Sequence, residues 1–189
     1  MKRIVIFASG SGSNAENIIK YFQNSNIATV THVLCNNEQA MVFERCERLN
    51  VDVSLFDKEN FTKEDTVLNF LHVEADIIIL AGFLWRIPTK IVAAFPNKII
   101  NIHPALLPKY GGKGMYGMNV HKAVKENKDT ETGITIHYVN ENYDEGAIIF
   151  QAKTELANTD TTADIASKIH LLEQEHFPKV IEKIILKNV

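Results

Sequence analysis

Lys2–Ala8, apolar without a break from Ile4 on and rich in β-branched side chains, predicts a strand buried on both faces rather than a half-exposed one. Similar runs predict strands over Thr29–Cys35, Asp52–Leu55, Asp76–Leu80 and Lys98–Ile102. Between them the pattern changes to helical spacing over Ala15–Phe22, Glu38–Leu49, Thr62–Val73 and Pro88–Phe95, the last opened by a proline at its first turn. Strands alternating with helices of this length predict βαβ units and a mostly parallel twisted sheet with helices on both faces.

The second half departs from that rhythm. A helix over Asn119–Glu126 is followed by two strands, Gly133–Val139 and Ala147–Lys153, joined by the turn-rich loop 140–146, which predicts one late antiparallel strand. Thr161-Thr162-Ala163-Asp164 has the pattern of a capping box and opens a long helix with apolar residues at Ile165, Ile169, Leu172, Val180 and Ile184. Pro178 is expected to kink it. No linker, repeat or low-complexity stretch divides the chain, so residues 1–189 are expected to form a single Rossmann-like α/β domain.

Composition narrows the function classes more than it names one. The 189 residues are 46% hydrophobic and 23% charged with a net charge of -3, which gives no basic footprint for nucleic acid or a membrane surface. The two cysteines, Cys35 and Cys46, make no disulfide framework and read as reduced, buried thiols of a cytoplasmic protein. No secretory leader pattern is present, and no apolar run reaches the roughly 18 residues of a membrane span.

Candidate chemistry concentrates at predicted strand ends. Asn101 and His103 lie two apart at the end of a strand, so both project to one face, and that edge is where open α/β sheets bind ligands. Pro104 then leads into a loop with Gly111, Gly112, Gly114 and Gly117 that could close over a pocket. Asp144 could reach back to His103 or could be a plain turn residue before Gly146. The first strand-to-helix turn, Ser9-Gly10-Ser11-Gly12-Ser13-Asn14, could cradle an anion or simply reverse the chain. It is not a Walker loop, and no acidic residue ends the second strand as a dinucleotide site would have. No metal-ligand spacing or G-x-S-x-G elbow occurs, and His32, His72, His121, His170 and His176 are expected in surface or packing roles.

Taken together, the residues 2–14, Leu80-Ala81-Gly82-Phe83, Asn101-Ile102-His103-Pro104-Ala105-Leu106-Leu107-Pro108 and Asp144-Glu145-Gly146 resemble, in order, the folate-dependent formyltransferases. The resemblance covers nearly the whole chain and implies transfer of a formyl group from 10-formyltetrahydrofolate to the amine of glycinamide ribonucleotide in purine synthesis, without a metal. It implies catalytic roles for Asn101, His103 and Asp144, with the Asn101 amide and a protonated His103 as donors to a tetrahedral oxyanion. It further implies that Gly12, Ser13 and Asn14 hold the substrate phosphate and Glu173 its amine-bearing arm. The segment Phe83, Leu84, Trp85, Arg86 and Ile87 would wall the folate pocket, with Asn101 and Asp144 also touching the folate, and His137 would lie nearby in a secondary role. Lys63 stands where some members have an arginine reaching the phosphate. Small-molecule partners alone, and a monomer or homodimer, are expected. The loop 111–118 and the 84–86 segment depart from the commonest family forms. A formyltransferase for another amine, such as an amino-sugar nucleotide, and a non-catalytic folate or nucleotide sensor are the rival readings.

Overall fold

The computed structural model describes residues 1–187. Its strands are β1 (Lys2–Ala8), β2 (Ala28–Cys35), β3 (Asp52–Leu55), β4 (Ile77–Leu80), β5 (Ile99–His103), β6 (Glu131–Tyr138) and β7 (Ile148–Glu155). They form one sheet in the order β3-β2-β1-β4-β5-β6-β7. The pairings are parallel from β3 to β5, and β6 runs antiparallel to both of its neighbours. The expected mostly parallel sheet with one reversed strand is therefore present.

The helices are α1 (Ser13–Phe22), α2 (Val42–Leu49), α3 (Lys58–Thr62), α4 (Thr66–Glu74), α5 (Thr89–Ala94), α6 (Met118–Glu126) and α7 (Thr162–Lys187). The period-2 alternation of the strands divides the core between two faces. Ile4, Ile6 and Ala8 pack with Ile18 and Phe22 of α1 and Phe177 and Ile181 of α7. Val5 and Phe7 face the other way, against Phe61, Leu71 and Ile91 of α3, α4 and α5. Cys35 and Cys46 are free and buried in the first of these layers.

Two helices begin differently from the sequence expectation, for local reasons. Residues 38–41 are turn rather than helix because Asn37 draws the chain into its own turn, its Oδ1 accepting from the Gln39 N–H at 3.1 Å. The helix expected over Thr62–Val73 is two helices. Asp57 caps an earlier turn, accepting from the Asn60 N–H at 2.8 Å, and α3 ends before α4 starts at Thr66. The capping box is formed reciprocally: the Asp164 N–H donates to Thr161 Oγ1 at 3.2 Å, and the Thr161 N–H to Asp164 Oδ2 at 2.8 Å. From there α7 runs 26 residues, continuing through Pro178.

Because β2 and β4 lie on opposite sides of β1, the strand order reverses there, and the carboxyl ends of β1 and β4 flank a crevice. The Ser9 N–H donates to the Gly82 carbonyl at 3.2 Å, and the Leu84 N–H to Ser9 Oγ at 3.0 Å, tying the two strand ends together. No helix among the described residues is long and apolar enough to cross a membrane.

Candidate active site

A cavity of about 480 Å³ opens at this crevice and extends past the end of β5 to the loop after β6 and one face of α7. Every site residue named above except Lys63 lines it. Lys63 sits outside, on the surface, 3.4 Å from Glu59.

At one end of the cavity the chain enters α1. Gly12 has φ 73 and faces α2 so closely that an added Cβ would lie 2.6 Å from Val42 Cγ2, so only glycine fits. The N–H groups of the first turn have no intrahelical acceptor and sit at the positive end of the helix dipole. The turn is fixed from behind: Arg45 Nε donates to the Ser11 carbonyl at 2.7 Å, and the same guanidinium pairs with Glu16. Glu16 is 8% exposed and also meets Lys20 at 2.6 Å and Arg48 at 2.7 Å. Lys20, then Arg45 and Arg48, outweigh the cost of burial and hold its carboxyl down to about 2.

The Asn14 side chain points along the cavity wall, its Nδ2 donating to Glu173 Oε2 at 2.9 Å. His170 Nδ1 lies 3.8 Å from the same oxygen, and that contact raises the His170 pKa above the ordinary histidine value. Glu173 Oε1 carries neither of these partners.

At the far end, β5 presents Asn101 and His103 on the face shared with Ile99. The antiparallel register sets His137 of β6 opposite Asn101 and Thr135 opposite His103. His137 Nδ1 donates to the Tyr138 carbonyl at 2.9 Å, which leaves Nε2 to accept from Asn101 Nδ2 at 3.1 Å. The second N–H of that amide remains available to the cavity. His103 Nε2 donates to the Tyr110 carbonyl at 2.7 Å, so in the neutral ring Nδ1 is the unprotonated nitrogen, and it faces Asp144 Oδ2 at 3.6 Å.

Asp144 adopts φ 55 in the loop after β6 and accepts from the Gly112 N–H at 2.9 Å. Its other oxygen lies 3.7 Å from His137 Nε2. Burial opposes ionisation of Asp144, but the Gly112 N–H, together with His137 and His103 when a proton sits on their facing nitrogens, keeps its carboxyl below the usual range. Burial is also the main influence on His103, which is 3% exposed. It lowers the ring's pKa from the ordinary histidine value, against the opposing pull of Asp144 and the Tyr110 carbonyl.

The 83–87 segment forms the apolar side of the cavity. Phe83 and Trp85 join Phe7, Phe56 and Phe61 in an aromatic cluster with ring centroids 5.1 to 6.3 Å apart. Ile87 is buried beneath them, Leu84 is exposed at the mouth, and Arg86 donates to the Glu141 carbonyl.

Two histidines expected in surface or packing roles also line the cavity. His170 lies beside Glu173, and His121 of α6 lines the wall with its Nδ1 buried and without a hydrogen-bond partner. Met115, Tyr116 and Tyr143 also line it, from the two loops. The glycine-rich composition of 111–118 pointed to a closing loop but could not say which side chains it would carry inward. Among the described residues no cluster of three or more His, Cys, Asp or Glu could hold a metal ion.

Residues 2–181 match the family described as formyl transferase. The chain belongs to this family. It is 36% identical over 182 residues to the chloroplastic phosphoribosylglycinamide formyltransferase of Arabidopsis thaliana, and spans 62% of that protein's length; for the Vigna unguiculata counterpart the share is 61%. It is 35% identical over 194 residues to the phosphoribosylglycinamide formyltransferase of Bacillus subtilis (strain 168), covering 97% of that protein. Among solved structures it is similar to glycinamide ribonucleotide transformylase 1 from Geobacillus kaustophilus, with a TM-score of 0.88, 32% identity, and 98% and 99% of the two chains covered.

Proposed function

We propose that this chain, working as one formyltransferase domain, moves the formyl group of 10-formyltetrahydrofolate onto the amine of glycinamide ribonucleotide. The observation that carries the reading is the convergence of Asn101, His103, His137 and Asp144 in the cavity that also holds the N-terminus of α1 and Glu173. The full-length similarity to the Bacillus subtilis enzyme supports the choice of amine.

In this reading the phosphate lies on the backbone N–H groups at Gly12, Ser13 and Asn14, where the helix dipole favours an anion. The Glu173 carboxylate receives the amine-bearing arm. The folate ring lies along Phe83, Leu84, Trp85, Arg86 and Ile87, with its formyl group toward Asn101 and Asp144. The aromatic wall and the buried polar groups beside it fit a flat heterocycle with an amide-like reacting end.

The amine lone pair attacks the formyl carbon and its oxygen becomes an oxyanion. The free N–H of Asn101 donates to that oxygen, with the other N–H held by His137, so the donor is already oriented when charge develops. The ammonium formed by attack must lose one proton. His103 Nδ1 and Asp144 Oδ2 are two acceptors facing each other, and a proton placed between them turns a repulsive contact into an ion pair. The same proton then passes to the leaving folate nitrogen as its bond to carbon breaks, giving the formamide and tetrahydrofolate.

Incubating the protein with 10-formyltetrahydrofolate and glycinamide ribonucleotide should release tetrahydrofolate. Release with an amino-sugar nucleotide but not with glycinamide ribonucleotide would overturn the choice of amine, and release with neither would overturn the enzymatic reading.

A further inference from the structure

Pro178 sits inside α7 and has no N–H to give the carbonyl of Gln174, four residues earlier. That carbonyl would be an orphan in the middle of a helix. It is instead taken by α1: Asn17 Nδ2 donates to it at 2.9 Å. The side chain of the same residue turns back to α1 as well. Gln174 Nε2 donates to Asn14 Oδ1 at 3.1 Å and lies 3.4 Å from the Ser13 carbonyl. Asn14 closes the set by donating to Glu173. One turn along, Tyr21 donates to Glu182 at 2.7 Å.

These bonds form a polar seam between two helices that also pack through Ile18, Phe22, Phe177 and Ile181. The Asn14 amide is held within it at its oxygen and at one of its two N–H groups, which fixes the orientation of the side chain. The seam joins two parts of the cavity with different tasks, the anion-binding turn of α1 and the carboxylate of Glu173.

We infer that Asn17 and Gln174, using the carbonyl that Pro178 frees, are positioning residues that set the distance between the phosphate and the amine arm of one substrate molecule. The inference rests on the proposed function, because it assigns those two groups to these two places. Binding at one place then favours correct placement at the other, since holding two groups at their productive separation removes freedom that would otherwise be lost on binding.

The test compares glycinamide ribonucleotide with its dephosphorylated riboside, each with 10-formyltetrahydrofolate, in the wild type, Asn17→Ala and Gln174→Ala. The second variant keeps the Asn17 bond to the carbonyl and loses only the side-chain bonds, so one misfolded variant does not end the experiment. Either variant should lose roughly three- to tenfold in kcat/KM for the ribonucleotide, mainly through KM, the range of one hydrogen bond. The riboside should be turned over as by the wild type. Equal losses on both substrates mean a merely structural seam and overturn the inference. So does a wild type that uses both substrates equally well, which would leave the proposed reaction standing. A wild type that formylates neither overturns the proposed function and this inference with it.

Restoring an N–H at position 178 separates stability from positioning. Adding Pro178→Ala to Asn17→Ala gives the Gln174 carbonyl a partner within α7 but no tie to α1. The melting temperature should recover while the ribonucleotide-specific loss persists; recovery of both would overturn the inference.

Discussion

At the α1 end of the cavity, side chains from two other helices grip the turn: Arg45 holds the Ser11 carbonyl, Gln174 holds Asn14, and Asn14 holds Glu173. At the Asp144 end, His103 at the close of β5 meets Asp144 from a loop, and both are held by backbone atoms of the glycine-rich segment: Tyr110 with His103, Gly112 with Asp144. Helix-borne groups are positioned by packing that also holds the core, whereas loop-borne groups are positioned only while the loop is closed on them. On the proposed reaction, the α1 end anchors one substrate on packed helices, and the Asp144 end lies under a loop that can open for entry and release.

The largest expected effect lies at the Asp144 end. Asn101→Ala should lower kcat by on the order of a hundredfold or more, the cost of a lost oxyanion donor, with the melting temperature little changed. A normal kcat per folded molecule would make Asn101 structural. In the same region, Asp144→Asn removes the charge that raises His103, so the acidic limb of the pH–rate profile should move to lower pH. An unmoved limb would sink the pairing.

Next in size is a change at the anchoring end. Gly12→Ala forces a Cβ against Val42 in a left-handed backbone, and should raise KM for the phosphorylated substrate about tenfold or more while costing roughly 1–3 kcal/mol of stability. A variant with normal KM and stability would mean that the turn yields easily, contrary to the contrast drawn here.

Smaller still is Glu16→Gln, read by denaturant unfolding. The Glu16 carboxyl titrates lower in the folded chain than in the unfolded one, so its stabilisation is present above the unfolded pKa near 4.5 and disappears as pH falls toward about 2. The variant should therefore be less stable than wild type by on the order of 2 kcal/mol at pH 7, with the gap closing across that acidic window. A gap independent of pH would assign the effect to packing. Lys63→Ala, outside the cavity, should leave KM for both substrates unchanged; a raised KM would return it to the anchoring end.

The sequence carried the strand ends and the side-by-side projection of Asn101 and His103, because both follow from the period-2 geometry of one strand. The Gly12 turn was visible for a similarly local reason. The contact of His137 with Asn101 is not legible in the sequence, because its place depends on the register of β6 against β5, which one strand does not encode. That His121 and His170 line the cavity is not legible in the sequence, because which face of α6 or α7 meets it is decided by packing between helices distant in sequence. Pro178 predicts a kink, but the Asn17 side chain that takes the Gln174 carbonyl left free by Pro178 comes from the other end of the chain, and nothing local connects them.

The Asn101–His137 bond sits on a rung of the sheet's own ladder. On the proposed reaction, hydrogen exchange at the amides of β5 and β6 would therefore report on the aim of the Asn101 donor as well as on folding. A chain that keeps this rung protected keeps its donor aimed, however often the glycine-rich segment opens above it.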